Sequence, residues 1–194
     1  NGKPPKPKSK MMHETYTACT SMFRVRVNIA IAAHENRVLY GADAVNAYAQ
    51  SGPFKKRTFL RMDEQLREWW KLRYGKDVPR DAYVEILSSL QGHHESGPNW
   101  QKKCNSSLDK HGWIAPFHEP CLYRRQRGED DEVNMQPDQL MSRQIDDMLF
   151  AIKGDASDLG RSEFEKCVNE LKEDMDIEWE EGIAKHYNGI EIDQ

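Results

Sequence analysis

Residues 140–153 read LMSRQIDDMLFAIK. Two runs, LMSRQI (140–145) and MLFAIK (148–153), flank the pair Asp146-Asp147. With only two residues between them, they predict two antiparallel strands joined by a tight hairpin. Asp is common in β-turns, so the pair by itself reads as an ordinary turn. Two adjacent carboxylates also repel each other unless a cation neutralises them, and a hairpin is a rigid mount for a ligand. The run leading into the pair is polar: residues 136–143 read QPDQLMSR, which predicts a weak scaffold under Asp146.

Outward from this hairpin, helices and strands mix. Upstream lie a strand, CLYRRQ (121–126), and an acidic, Pro-containing loop over 127–139. Downstream, Ser157 or Ser162 caps an amphipathic helix running through Lys172, with Phe164, Cys167, Val168 and Leu171 on one face. IEWE (177–180), Glu181-Gly182 and AKHYNGIEI (184–192) predict a second hairpin. Nearer the start, residues 21–36 fit a helix, although their Val and Ile keep a buried strand open. VLYGADAVNAY (38–48) reads as a strand entering a turn or helix, and FLRM (59–62) as a short strand. Asp63 caps a helix from Glu64 to Arg73, ended by Gly75 and Pro79. YVEILSSL (83–90) is strand-like. Gln91-Gly92 begins a turn, and a helix starting at Ser96 or Asn99 runs to Lys110 and stops at Gly112. The order is that of an α+β fold rather than a doubly wound sheet.

Composition narrows the class. The longest apolar run, Val27 to Ala33 with Asn28 inside it, is far short of a membrane span, so no membrane is expected. Five Trp, seven Tyr and six Phe among 194 residues supply core material and argue against full disorder. Charge is uneven: residues 1–126 carry 21 Lys+Arg against 12 Asp+Glu, and residues 127–194 carry 7 against 20. A basic half beside an acidic half suits a polyanion surface next to a metal-binding or solvated one. Cys19, Cys104, Cys121 and Cys167 show no C-x-x-C spacing, and reduced thiols are expected. Residues 1–13 read as a disordered basic arm or a truncated start, with a nuclear address open and no secretory signal.

A third carboxylate enlarges the Asp146-Asp147 reading. Asp43 is the only charged residue between Arg37 and Lys55. Alone it would be a strand-end cap. With Asp146 and Asp147 it can converge on two Mg²⁺ ions, which clamp the attacking and leaving oxygens of a phosphoryl transfer from about 3.5–4 Å apart. Mg²⁺ is commonly held by a few carboxylates plus substrate phosphates. A separate metal site using His93, His94, His111, His118, Cys104 or Cys121 lacks zinc-finger spacing. Lys55, Lys56, Arg57 and Arg61 form the densest basic cluster after the N-terminal arm, either a phosphate-backbone grip or a solvated loop. Trp69, Trp70 and Trp100 are base-stacking candidates or core residues.

Five ordered blocks carry a resemblance. They are GADAVNAYAQ (41–50), FLRMDEQLREWW (59–70), LQGHHESGPNW (90–100), HEPCLYRR (118–125) and RQIDDMLFAI (143–152), followed by YNGIEI (187–192). Together they resemble the reverse transcriptase domain of copia-type retrotransposons, especially the variety of algae and other protists. The likeness runs from about Glu14 to Ile192.

The resemblance implies a polymerase palm with partial fingers over residues 14–194, with no counterpart of the thumb or RNase H. It makes Asp43 the first catalytic carboxylate, and Asp146 and Asp147 the pair of the YVDD-type motif, whose first position is Gln144. Tyr48 would floor the sugar pocket and favour dNTPs over NTPs; on residues alone it is equally a core aromatic. Gln91 and Gly92 would pack against the incoming nucleotide and template. The implied activity is RNA-directed DNA polymerisation with two Mg²⁺, for which Mn²⁺ can substitute. The implied partners are a primed RNA or DNA template, dNTPs and the rest of the retrotransposon polyprotein. The implied location is a cytoplasmic virus-like particle. The chain alone is expected to polymerise weakly or not at all. The rival reading is a degenerate or domesticated remnant that binds nucleic acid or protein without catalysis.

Overall fold

The computed structural model describes residues 17–125, 139–153 and 158–194. The N-terminal arm (1–13) and most of the acidic loop predicted over 127–139 lie outside them. The fold is α+β, with an antiparallel sheet and packed helices.

Helix α1 (Met22–His34) starts where the Ser21 hydroxyl accepts from the Arg24 amide at 3.4 Å. Strand β1 (Arg37–Ala44) follows, then the one-turn helix α2 (Ala47–Gln50). An excursion contains β2 (Thr58–Arg61), α3 (Glu64–Tyr74) and β3 (Tyr83–Ile86). Asp63 caps α3 through the Leu66 amide at 2.8 Å, and Gly75 closes it at φ 66°. Strand β3 ends at Ile86, short of the predicted 83–90. Helix α4 (Ser96–Lys110) and strands β4 (Leu122–Arg125), β5 (Gln139–Gln144) and β6 (Asp147–Lys153) come next. Helix α5 (Asp158–Leu171), β7 (Ile177–Trp179), β8 (His186–Tyr187) and β9 (Ile190–Glu191) complete the order.

The main sheet has strand order β4-β5-β6-β1-β7, with every pairing antiparallel. Its centre is covered on both faces. Val38, Tyr40, Ala42 and Ala44 of β1 join Met148, Phe150 and Ile152 of β6 in a cluster with Trp100, Trp113 and Phe164. The alternate positions Leu39, Leu149 and Ala151 meet Val25 and Ala32 of α1 and Tyr187. This two-sided burial explains why residues 148–152 are apolar without a break, where one-sided burial would give alternation.

The second predicted hairpin is assembled differently. Strand β7 pairs with β1, not with the segment that follows it. Strands β8 and β9 pair with each other around Asn188 and Gly189, whose φ values are 46° and 76°. An Asn-Gly pair adopts positive φ readily and forms a two-residue hairpin turn.

Candidate active site

Pairing of β1 with β6 brings the carboxylates together across more than a hundred residues of chain. Asp43 stands directly opposite Asp147, so both side chains leave the same face of the sheet. On its other side Asp43 is opposite Glu178 of β7. Asp146 sits in the turn between β5 and β6, and its carbonyl accepts from the Ala44 amide at 3.0 Å.

The turn is shifted by one residue from its predicted place. Gln144 pairs with Asp147, leaving Ile145 and Asp146 as the connecting residues. Ile145 has φ 60°, a left-handed conformation that a β-branched side chain strongly disfavours. Two buried donors meet its carbonyl: Trp100 Nε1 at 2.8 Å and Arg143 Nη1 at 3.2 Å.

The expected weak scaffold is also corrected. The side chains of Gln139, Ser142 and Arg143 in β5 are buried and bonded. Asn28 Nδ2 donates to Ser142 Oγ at 3.2 Å, Cys167 Sγ donates to Gln139 Oε1 at 3.2 Å, and Tyr187 donates to the Ser142 carbonyl at 3.2 Å. Partnered in this way, buried polar groups specify a strand as firmly as apolar ones.

Electrostatics mark the cluster. The Asp147 carboxyl is pushed up to about 6 by burial first, then by the charges of Asp43, Asp146 and Glu180. The Asp43 carboxyl is also raised. Partial dehydration comes first, although the side chain is exposed, and Asp146 and Glu178 add to it. Burial and the Asp146 charge raise the half-buried Tyr48 phenol, which associates that ring with the turn. A cavity of about 230 Å³ is lined by Asp43, Asp147, Glu178, Glu180 and His186 together with Gly41, Ala42 and Trp179. A larger open groove of about 550 Å³, lined by Lys102, Lys103 and Lys110 of α4, shares no residue with the carboxylates.

The carboxylate oxygens are hard ligands of the kind Mg²⁺ and Mn²⁺ take. The raised Asp43 and Asp147 carboxyls register burial first and, after it, a repulsion among carboxylates that a cation would relieve. Yet among the described residues no three His, Cys, Asp or Glu side chains are grouped so as to hold a metal ion by themselves. These carboxylates would hold such an ion only if further ligands, such as substrate phosphates or water, completed its shell.

The remaining candidates are dispersed. Gln144, half-buried beside the turn, has its Oε1 buried without a partner among the described residues. Gln91 and Gly92 form an exposed turn before α4, with Gly92 at φ 88°, and neither lines the carboxylate cavity. Lys55, Lys56, Arg57 and Arg61 are exposed, and Arg57 is engaged by both oxygens of Glu85 at 2.6 and 2.7 Å. Trp100 is wholly buried, whereas Trp69 is exposed against Tyr74. The His93 ring makes tilted contacts with Phe54 and with His94; Cys104 and Cys121 are buried and free. Sequence reasoning missed Glu178 and Glu180, which reach the site through the β7–β1 pairing. It also missed Arg143, since a buried arginine is rare and nothing local marks it.

No helix among the described residues is long and apolar enough to cross a membrane. Comparison with protein-family models, with curated proteins and with solved structures finds no match to this chain.

Proposed function

We propose that the chain is the palm, with part of the fingers, of a copia-type RNA-directed DNA polymerase. The observation that carries this reading is the opposition of Asp43 to Asp147, with Asp146 in the adjoining turn, on one antiparallel sheet. It adds spatial proximity to the ordered sequence blocks. Asp43, Asp146 and Asp147 would hold the divalent ions, and Tyr48 would close the side of the sugar pocket where a 2′-hydroxyl would sit. Bound Mg²⁺ supplies acidification of the primer 3′-hydroxyl and neutralisation of the leaving pyrophosphate. The protein's own part is to orient: the sheet fixes Asp43, the turn fixes Asp146, and the exposed basic residues meet the template–primer backbone. Gln91, Gly92 and Gln144 would contact the incoming dNTP as the resemblance implies. The rest of the polyprotein would complete the grip on the duplex.

The test is single-nucleotide extension of a DNA primer on an RNA template with Mg²⁺ or Mn²⁺. We expect weak extension, reduced at least about 100-fold by Asp146→Asn, the scale for losing one preorganised electrostatic group. Extension equal in the variant and the native chain would sink the reading. That no closed metal-ligand group stands among the described residues favours a second reading, a non-catalytic nucleic-acid- or protein-binding remnant. Salt-sensitive binding of template–primer without extension at any metal concentration would select that remnant in its nucleic-acid form.

A further inference from the structure

We propose that Trp100 and Arg143 form a buried clamp on the Ile145 carbonyl and act as positioning residues for Asp146. What Asp146 then does rests on the polymerase reading; the clamp itself does not. Both side chains are buried, and they come from different elements, α4 and β5. Their donors, Nε1 of Trp100 and Nη1 of Arg143, meet on one oxygen at 2.8 and 3.2 Å. The next carbonyl, that of Asp146, is held by the Ala44 amide at 3.0 Å. The peptide planes before and after Asp146 are thus each pinned, one to the helix layer and one to the end of β1, the strand that carries Asp43. A left-handed Ile persists only where its surroundings over-determine it, and this pair of anchors supplies that determination.

Arg143 makes the case sharper, because its position is a poor choice for stability alone. Its other partners are the neutral Asn105 Oδ1 at 3.2 Å, the Tyr123 hydroxyl at 3.3 Å and Cys121 Sγ at 3.9 Å. Its Nε is buried without a partner among the described residues. A buried charge with no carboxylate partner among the described residues is expensive, and an apolar side chain of similar length often serves packing as well or better. A merely structural arginine would not be needed there. One that fixes the carbonyl immediately before Asp146 would.

The test uses amide hydrogen exchange, resolved by NMR, on the native chain, Trp100→Phe and Arg143→Met. The Ala44 amide reports the turn, because it bonds to the Asp146 carbonyl. The Ala184 amide, bonded to the Leu39 carbonyl at 2.8 Å, reports the far end of β1. We expect Ala44 to exchange about 10-fold faster or more in both variants, with Ala184 changed less than about 2-fold. Global stability of Arg143→Met should be unchanged or higher. Equal acceleration at both amides, or none at Ala44, would overturn the clamp; if Arg143→Met fails to fold, Trp100→Phe decides alone. Mn²⁺ binding to the native chain, read by water proton relaxation, tests the polymerase reading separately. If the native chain binds no Mn²⁺ even with template–primer and dNTP present, that reading fails while the clamp stands or falls on Ala44. If it binds, Trp100→Phe should weaken Mn²⁺ at least about 3-fold, and an unchanged affinity would deny Asp146 any dependence on the clamp.

Discussion

Phe150 in β6 and Leu72 in α3 are both large apolar side chains; one has no exposed surface and the other is 87% exposed. They stand for two regions built on opposite terms. In the main sheet, Phe150 meets Trp113 and Phe164 edge-on at 5.7 and 5.4 Å, and both sheet faces are covered. In the excursion over residues 58–86, Met62 alone is buried. That region is held by the β2–β3 ladder, the Asp63 cap, the Arg57–Glu85 pair and the packing of Trp70 on Tyr74. Its neck is closed by Ser89, which donates to the Gly52 carbonyl and accepts from Asn99. The carboxylates sit on the doubly covered sheet, whereas the exposed basic cluster lies at the entrance to the locally held region (Lys55, Lys56, Arg57) and in its first strand (Arg61). A functional constellation needs precise mounting, whereas a charged surface that meets a polyanion does not.

The largest break in this comparison is Phe150→Ala. It removes a wholly buried ring between two layers, and we expect a loss of about 3–5 kcal/mol in urea unfolding. A loss below about 1 kcal/mol would mean that the sheet core is no better packed than the excursion.

A smaller effect comes from charge at the rim of the same sheet. The Asp147 carboxyl stands at about 6 in the folded chain against 3.8 as the ordinary value. Between those values the folded state binds more protons than the unfolded one, so stability falls as pH rises from about 4 to about 6. The raised Asp43 carboxyl acts in the same direction. With solvent screening of this half-buried group, the loss is about 1–2 kcal/mol. In metal-free buffer, Asp147→Asn should flatten the profile and stabilise the chain by that amount at about pH 7. Urea unfolding of both chains at about pH 4.5 and about pH 7 measures it, and a variant no more stable at the higher pH would contradict the assignment.

The two regions also differed in how far the sequence revealed them. Local signals read well: the Asp63 cap, the Gly75 stop and the hairpin around residues 145–146 follow from nearest neighbours. The one-residue error in the turn has a physical cause. No local rule places an isoleucine at φ 60°, and only Trp100 and Arg143, distant or buried, make it tenable. The pairing of β7 with β1 is likewise non-local, so Glu178 and Glu180 could not be assigned to the site. Alternation and composition made β5 look weak, because polar side chains are read as exposed until their partners are known. The grouping of Asp43 with Asp146 and Asp147 was proposed from chemistry, and its spacing on the sheet required the structure.

The smallest expected effect sharpens the comparison most. Leu72→Ala removes an exposed side chain from the last turn of α3, and Ala is at least as good a helix former as Leu. For a side chain already in water, the transfer term is nearly absent, so the change should lie within about 0.5 kcal/mol. That outcome would show that Leu72 meets only solvent; Phe59, Trp69 and Tyr83 of the same region are exposed too, but less fully. Measuring the unfolding at two protein concentrations adds a control. A loss above about 1 kcal/mol that grows with concentration would mean that a second copy covers α3, so the excursion would be buried after all. A loss of that size independent of concentration would place Leu72 against its own chain. Either result would remove the distinction between a packed sheet and a locally held excursion, and with it the reason for expecting the carboxylates, rather than the basic cluster, to be the precisely mounted part.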